Sequence, residues 1–163
     1  MRGCEEMIYS YNLIADYFIA FSNATHNLIT NLKLQKLVYY AQAWHVAILG
    51  RRMFDAEFRA WVHGPVIYNL YNAYKSFSYH PIIRDDLTEE KYEEIRSSIQ
   101  KETLEVLDIV VDKYFGMTAF ELEQLSHSES PWVLARAGLS REAVCNEIIK
   151  DIWMKDYYEK YLE

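Results

Sequence analysis

Residues 31–49 constrain the fold of this chain more than any other segment, because their helical pattern is apolar on most sides. Three- and four-residue spacing places one set of side chains on a common stripe. This stripe comprises Leu34, Leu37, Val38, Ala41, Trp44, His45 and Ile48, and Tyr39, Tyr40 and Val46 extend the apolar surface around the helix. A helix that is apolar all round is buried inside a globular protein. The sequence therefore predicts a bundle built around residues 31–49, with Gly50 ending this helix in the left-handed conformation.

Further helices are predicted before and after this segment. They cover residues 11–22, 65–77, 88–116, a helix opened by the capping box of Thr118 and Glu121, 130–138 and 140–161. Pro65 and Pro131 each stand at a predicted first turn, where the missing amide hydrogen has no intrahelical partner. The aromatic segment 53–62 is too short for another helix and predicts a hairpin. We expect a mainly α fold, a single-domain helical bundle of about six or seven helices with a short β-hairpin between the second and third helices.

The length of 163 residues fits one domain over 1–163, with residues 1–8 as a short N-terminal arm. Hydrophobic residues make up 51% of the chain and charged residues 25%, which is typical of a folded soluble protein. A formal net charge of -7 opposes approach to a phosphate backbone, so nucleic acid is a poor default partner. A basic protein surface suits this charge better.

The two cysteines, Cys4 and Cys145, show no paired spacing that would indicate a disulfide framework or a zinc site. We expect both to be free thiols in a reducing compartment. The N-terminus has no signal-peptide pattern, and no apolar run is long enough to span a membrane. These observations favour a cytoplasmic protein without a membrane partner.

The sequence offers little that supports catalysis. Five histidines occur, but none stands at a metal-ligand spacing, and there is neither a nucleophile elbow nor a glycine-rich phosphate loop. We therefore expect no metal, no cofactor and no catalytic residue. His45, on the apolar stripe, is interpreted as a buried imidazole that donates to a carbonyl or a tyrosine hydroxyl. A hydrolase that uses His63 or His127 with a neighbouring acid is the remaining enzymatic alternative.

The sharpest local element is the corner formed by His63, Gly64 and Pro65 beside Trp61. A permissive glycine followed by a proline creates a tight change of chain direction. Such a corner can serve the fold alone, or it can also present Trp61 and His63 to a partner. Both interpretations stay open.

Tyrosine is the compositional outlier, with 14 residues. Tyr68, Tyr71 and Tyr74 recur at helical spacing just after the corner. Tyrosine combines a large contact area with a polar tip and is enriched where two proteins meet, although the same rings can also pack a core. The candidate partner-binding residues are therefore Trp61, His63, Tyr68, Tyr71 and Tyr74.

Several ordered motifs together resemble the Panacea domain family, also described as SocA-like or GepA-like. The segment NLKLQKLVYYAQAWH is followed by GRRMFD, by AWVHGPV and by SHSESPW, where Ser126 stands in a position at which the family commonly has threonine. The resemblance implies a structural role for the motif residues Leu34, Gln35, Lys36, Leu37, Trp44, His45, Gly64, Pro65, His127, Pro131 and Trp132.

The resemblance also implies a function. Members of this family are bacterial and phage-encoded antitoxins that neutralise a cognate protein toxin by direct binding. The alternative that it implies is an adaptor that delivers a toxin to an ATP-dependent protease. The identity of the toxin, the surface that contacts it and any self-association are not determined by the sequence.

Overall fold

Helix α2, Asn31–Leu49, lies at the centre of the molecule, as the apolar pattern predicts. The computed structural model describes residues 6–162. In α2, 15 of the 19 residues are buried, including both faces of the helix. The Thr30 side chain caps its start by accepting from the Lys33 amide, and Gly50 ends it with φ 73°.

The described residues form eight α-helices and a two-stranded antiparallel sheet, which confirms the mainly helical fold with a hairpin between the second and third helices. The remaining elements are α1 Tyr11–Ala24, β1 Arg59–Trp61, β2 Gly64–Val66, α3 Tyr68–Tyr74 with a 3-10 turn Lys75–Phe77, α4 Glu89–Ser97, α5 Lys101–Tyr114, α6 Ala119–Ser128, α7 Ser130–Ala135 and α8 Asp151–Glu159. Helices α1, α5, α6 and α8 pack against α2, and α4 packs on α1.

The hairpin lies later in the chain than the sequence predicted. Pro65 is in β2 rather than in the first turn of a helix, and pairs with Ala60 of β1. Proline has no amide hydrogen to donate. It is therefore tolerated in an edge strand as well as in the first turn of a helix, because neither position requires that hydrogen bond. The Gln35 side chain of α2 then accepts from the Ile67 amide at 3.1 Å, and α3 begins only at Tyr68.

The predicted long helix over 88–116 is wrong, because it breaks into α4 and α5 at residues 98–100. The hydroxyls of Ser97 and Ser98 bond to carbonyls of the last turn of α4, the second to Ile95 at 2.7 Å. Serine side chains compete in this way with the regular helix ladder. The Gln100 amide then bonds to the Tyr9 hydroxyl at 2.9 Å, which fixes the break against the N-terminal segment.

The predicted last helix over 140–161 is also wrong in its first half. Residues 146–149 instead run beside β1: the Ala60 amide donates to the Glu147 carbonyl at 2.9 Å, and the Ile149 amide donates to the Phe58 carbonyl at 2.8 Å. Helix α8 begins at Asp151. The free edge of β1 supplies hydrogen bonds that a local helix would otherwise make, so a non-local pairing replaces the helix.

Pro131 stands in the first turn of α7, as predicted, where it is the second helical residue after the N-cap Glu129. Cys4 and most of the expected arm 1–8 lie outside the described residues 6–162. The Cys145 thiol is free and buried. Among the described helices, none is long and apolar enough to cross a membrane.

Candidate partner-binding surface

Three of the predicted binding residues form one aromatic cluster. The Trp61 ring lies 5.2 Å from the Tyr71 ring and 6.1 Å from the Tyr68 ring, both in edge-to-face geometry. Tyr68 is 55% exposed, and Trp61 and Tyr71 are partly buried. In this geometry the edge of one ring packs on the face of the next, which holds the three rings together while Tyr68 stays open to solvent.

Tyr74 does not belong to this cluster. It is only 8% exposed, its ring stacks near Phe77, and its hydroxyl accepts from Arg84 at 2.8 Å. Three-residue spacing drifts by about 60° per step around an α-helix, so Tyr74 lies about 120° from Tyr68 and meets different neighbours. Tyr74 belongs to the core.

Trp61 is positioned by two hydrogen bonds from distant parts of the chain. Its indole Nε1 donates to Asn146 Oδ1 at 2.9 Å, and its carbonyl accepts from the Trp132 indole at 2.8 Å. Asn146 lies in the segment that runs beside β1. A bonded indole loses little rotamer freedom when a partner covers it.

The cluster opens into a groove of about 650 Å³. Its lining is mostly apolar and comprises Trp61, Val62, His63, Tyr68, Val144, Cys145 and Asn146. Val144 is 90% exposed, which is unusual for an aliphatic side chain beside aromatic rings. Sequence reasoning missed the wall formed by residues 144–146, because only the pairing with β1 brings it to the corner.

Beneath the groove, a buried lysine supports the corner. Lys36 is inaccessible to solvent, and its Nζ donates to the Pro65 carbonyl at 3.2 Å. A Cβ placed on Gly64 would lie 2.5 Å from Lys36 Cε and 2.9 Å from Ser126 Oγ, so only glycine fits there. Burial lowers the pKa of Lys36 to about 7, although the nearby Glu123 carboxylate acts in the opposite direction.

The late motif residues hold the turn of the hairpin from the other side. The His127 ring stacks on Trp132 at 4.1 Å, and its Nε2–H donates to the Val62 carbonyl at 2.7 Å. Arg136 is buried, lies over the Trp132 ring at 4.6 Å and donates to the Ala60 carbonyl at 2.8 Å. Pro131 is buried beside them. No sequence pattern singled out Arg136, whose partners are backbone carbonyls.

His45 is fully buried. Its Nδ1–H donates to the Arg51 carbonyl at 2.7 Å, and Nε2 accepts from the Thr103 hydroxyl at 3.0 Å. The expected carbonyl partner is therefore present, and the hydroxyl comes from threonine. Burial lowers the pKa of His45, which favours this neutral ring. Leu34, Gln35, Leu37 and Trp44 are buried in the same helix.

The two histidines of the enzymatic alternative have specific partners. His63 Nδ1 bonds to Glu123 Oε1 at 2.5 Å, but among the described residues no hydroxyl or thiol bonds to its ring. His127 uses both nitrogens, because Nδ1 accepts from Arg141 at 3.0 Å. Within residues 6–162, no three His, Cys, Asp or Glu side chains are grouped to hold a metal ion. His63 thus lies beside an acid, as the enzymatic alternative expects, and within residues 6–162 no side-chain hydroxyl or thiol bonds to either histidine ring.

The described residues thus form a helical scaffold with an aromatic groove at its hairpin, and tryptophan and tyrosine are the residue types enriched at protein interfaces. A family model described as "Antitoxin SocA-like, Panacea domain" matches residues 34–133. Antitoxin SocA of Caulobacter vibrioides (strain NA1000 / CB15N) is 26% identical over 133 residues, which cover 76% of this chain and 71% of that protein. No solved structure matches.

The chain therefore belongs to the SocA-like Panacea-domain family. The matched residues run from α2 through α7 and include the corner with Trp61 and His63, so the resemblance inferred from the motifs is confirmed. Membership suggests an antitoxin role. The wall at residues 144–146 lies beyond the part that the family model matches.

Proposed function

We propose that this protein is an antitoxin of a toxin–antitoxin system that neutralises a cognate protein toxin by direct binding. The observation that carries the proposal is the groove at the hairpin, where the partly buried Trp61 and the exposed Tyr68 line the same surface as Val144. Tryptophan and tyrosine contribute most of the binding energy at many interfaces. Family membership supports the kind of partner.

The groove suits binding because little of it has to be ordered when a partner arrives. Asn146 and Trp132 fix Trp61 by hydrogen bonds, and Lys36 fills the space behind Gly64. Preorganisation reduces the entropy lost on association. The net charge of -7 favours encounter with a basic toxin surface, and we propose that this encounter takes place in the cytoplasm.

Neutralisation of this kind requires no chemical step. A toxin whose active surface is covered is inactive for as long as the complex persists, so the lifetime of the complex sets the effect. We propose that the protein acts by covering the toxin and not as an enzyme.

The test is co-expression with the product of the adjacent open reading frame. The wild-type protein should restore growth and co-purify with that product, and Trp61→Ala should lose both effects. The matched control is Tyr79→Ala, which removes an aromatic ring that is 79% exposed and does not line the groove. Lack of rescue and of a complex with the wild-type protein would contradict the proposal. A toxin level that falls only when an ATP-dependent protease is present would indicate delivery for proteolysis instead.

A further inference from the structure

A second, smaller pocket lies between α2, α5, α6 and α8, with a volume of about 260 Å³. Its walls carry an unusual concentration of aromatic rings around one acid. The residues that matter are Trp44, Tyr114, Tyr157, Tyr158, Tyr161 and Glu129. We propose that this pocket binds a monovalent organic cation, namely an alkylammonium or guanidinium group, on the Glu129 carboxylate.

Glu129 is only 6% exposed, yet no cation pairs with it among the described residues. The hydroxyls of Tyr40 and Tyr158 donate to Oε1 at 2.7 and 2.8 Å, and Oε2 accepts no hydrogen bond from residues 6–162. Within residues 6–162, the side-chain nitrogen and oxygen atoms that are fully buried and lack a hydrogen-bond partner are Nε of Arg51 and Nε of Arg136, so Glu129 Oε2 is not among them. Oε2 is therefore reached by solvent from the pocket that Glu129 lines and retains its capacity to accept.

The rings provide the second half of a cation site. The faces of tryptophan and tyrosine carry negative charge density that attracts ammonium and guanidinium groups. The outer surface of this pocket already does so: Lys113 Nζ lies 5.3 Å from the Trp44 ring centroid, and Lys160 Nζ lies 5.1 Å from that of Tyr157. Neither ammonium forms an ion pair with Glu129, so the inner carboxylate remains available.

A cation is favoured over a neutral or anionic ligand by the balance of these groups. A carboxylate taken out of water and held by two neutral hydroxyls lacks a countercharge, and a desolvated site strengthens its attraction for one. An anion would meet the same carboxylate at close range. The volume of about 260 Å³ admits the head group of a lysine or arginine side chain, or a small quaternary ammonium ion.

The test is calorimetric titration of the full chain at about pH 8.5, above the pKa of about 7 to which burial raises Glu129, so that the carboxylate is ionised. Three chloride salts are titrated: tetramethylammonium, n-butylammonium and Nα-acetyl-arginine amide. At least one should bind with a Kd on the order of 1 mM. Tighter binding of tetramethylammonium would identify a free small molecule as the source of the cation. Tighter binding of the butylammonium or arginine probe would identify a side chain of a polypeptide. No heat of binding from any of the three would overturn the proposal.

Variants locate the site. Glu129→Gln keeps an oxygen for Tyr40 and Tyr158 and should weaken binding by about tenfold, the loss expected for a charge-assisted hydrogen bond. Lys113→Met removes a competing ammonium from the Trp44 face and should tighten binding about twofold. Glu105→Gln removes an exposed acid outside the pocket and should leave affinity unchanged.

Equal affinity of Glu129→Gln and the wild-type protein would overturn the proposal. Should Glu129→Gln fail to fold, Tyr161→Ala serves as the second variant, because Tyr161 is 62% exposed at the rim. It should weaken binding while leaving the far-ultraviolet circular dichroism unchanged, and undiminished affinity there would again contradict the assignment. Neither measurement depends on a toxin, so failure here and failure of the antitoxin proposal are separate results.

Discussion

Lys36 Nζ donates to the Pro65 carbonyl at 3.2 Å, which joins the central helix to the hairpin through a buried amino group. The same lysine lies directly behind Gly64, whose φ is 100°. The corner that carries Trp61 and His63 is thus built on a titratable side chain that has no access to water. This relationship determines how the corner responds to pH and to substitution.

Lys36 should make the free energy of unfolding rise with pH above about pH 7. Its pKa is lowered from 10.5 to about 7 in the folded protein, so between these values the unfolded chain binds more protons than the folded one. The free energy of unfolding therefore rises with pH through this window. Relative to Lys36→Met, the wild-type protein should gain about 2 kcal/mol between pH 7 and pH 9.

Urea unfolding of both proteins at the two pH values measures this gain. Lys101→Met, which removes an exposed lysine at the start of α5, is the control and should show no such change. A difference between wild type and Lys36→Met that is the same at pH 7 and pH 9 would contradict the prediction.

Glu129 should act in the opposite direction at acidic pH. Burial raises its pKa from 4.5 to about 7, although hydrogen bonds from Tyr40 and Tyr158 oppose the shift. Between these values the folded protein holds a proton that the unfolded chain releases, so stability falls as pH rises. Relative to Glu129→Gln, the wild-type protein should lose about 2 kcal/mol between pH 5 and pH 7. Guanidinium-free urea titrations at both pH values would detect this loss, and Glu105→Gln should not reproduce the effect.

Gly64→Ala should destabilise the protein more than Gly50→Ala. Both glycines have positive φ, but the space around Gly50 is open, whereas a Cβ on Gly64 would meet Lys36 and Ser126. We expect Gly50→Ala to cost about 1 kcal/mol and Gly64→Ala to cost more than about 2 kcal/mol. Thermal unfolding compares the two variants, and equal losses would show that the corner relaxes around the added methyl group.

Val144→Arg should weaken binding of the toxin without weakening the fold. Val144 is almost fully exposed in the groove, so an arginine there fills contact space and repels a basic partner. We expect the Kd to rise by about tenfold or more. Ile152→Arg is the matched control, because Ile152 is an exposed aliphatic residue on α8 outside the groove lining.

Surface plasmon resonance with the purified toxin measures both affinities. Equal affinities for the two variants would place the contact surface elsewhere on the protein.

Trp61→Ala should raise the Kd for the toxin by about thirtyfold, which corresponds to the loss of about 2 kcal/mol at a central aromatic anchor. Tyr74→Phe removes only a hydroxyl that accepts from Arg84 inside the protein. This second variant should lower stability slightly and leave the Kd unchanged. An unchanged Kd for Trp61→Ala would contradict the role of the corner in binding.

The sequence predicted those parts of the structure that short-range patterns determine. Helix α2 has the predicted bounds, and the capping box of Thr118 and Glu121 opens α6 as expected. Both depend on residues within a few turns of each other. Because α2 is apolar on nearly all sides, its pattern also predicted its central position, since only there can every side be buried.

The rest depended on contacts between distant residues. The break between α4 and α5 is fixed by Tyr9, and the segment before α8 pairs with β1, neither of which leaves a periodic signal. The groove was therefore only half predicted: Trp61, His63 and Tyr68 lie there, but Val144 and Asn146 were missed. Tyr74 has the spacing of its neighbours and yet faces the core.

The pairing of residues 146–149 with β1 builds the two walls of the groove from separate segments of the chain. One wall of the groove belongs to the hairpin, which Lys36, His127 and Arg136 hold from within. The other wall is formed by residues 144–146, in which Asn146 bonds to the Trp61 indole and Cys145 is buried, whereas the Val144 side chain is 90% exposed. Under the proposed function, substitutions at Val144 would change which partner the groove accepts while the scaffold stays intact, so redesign of partner choice should begin there.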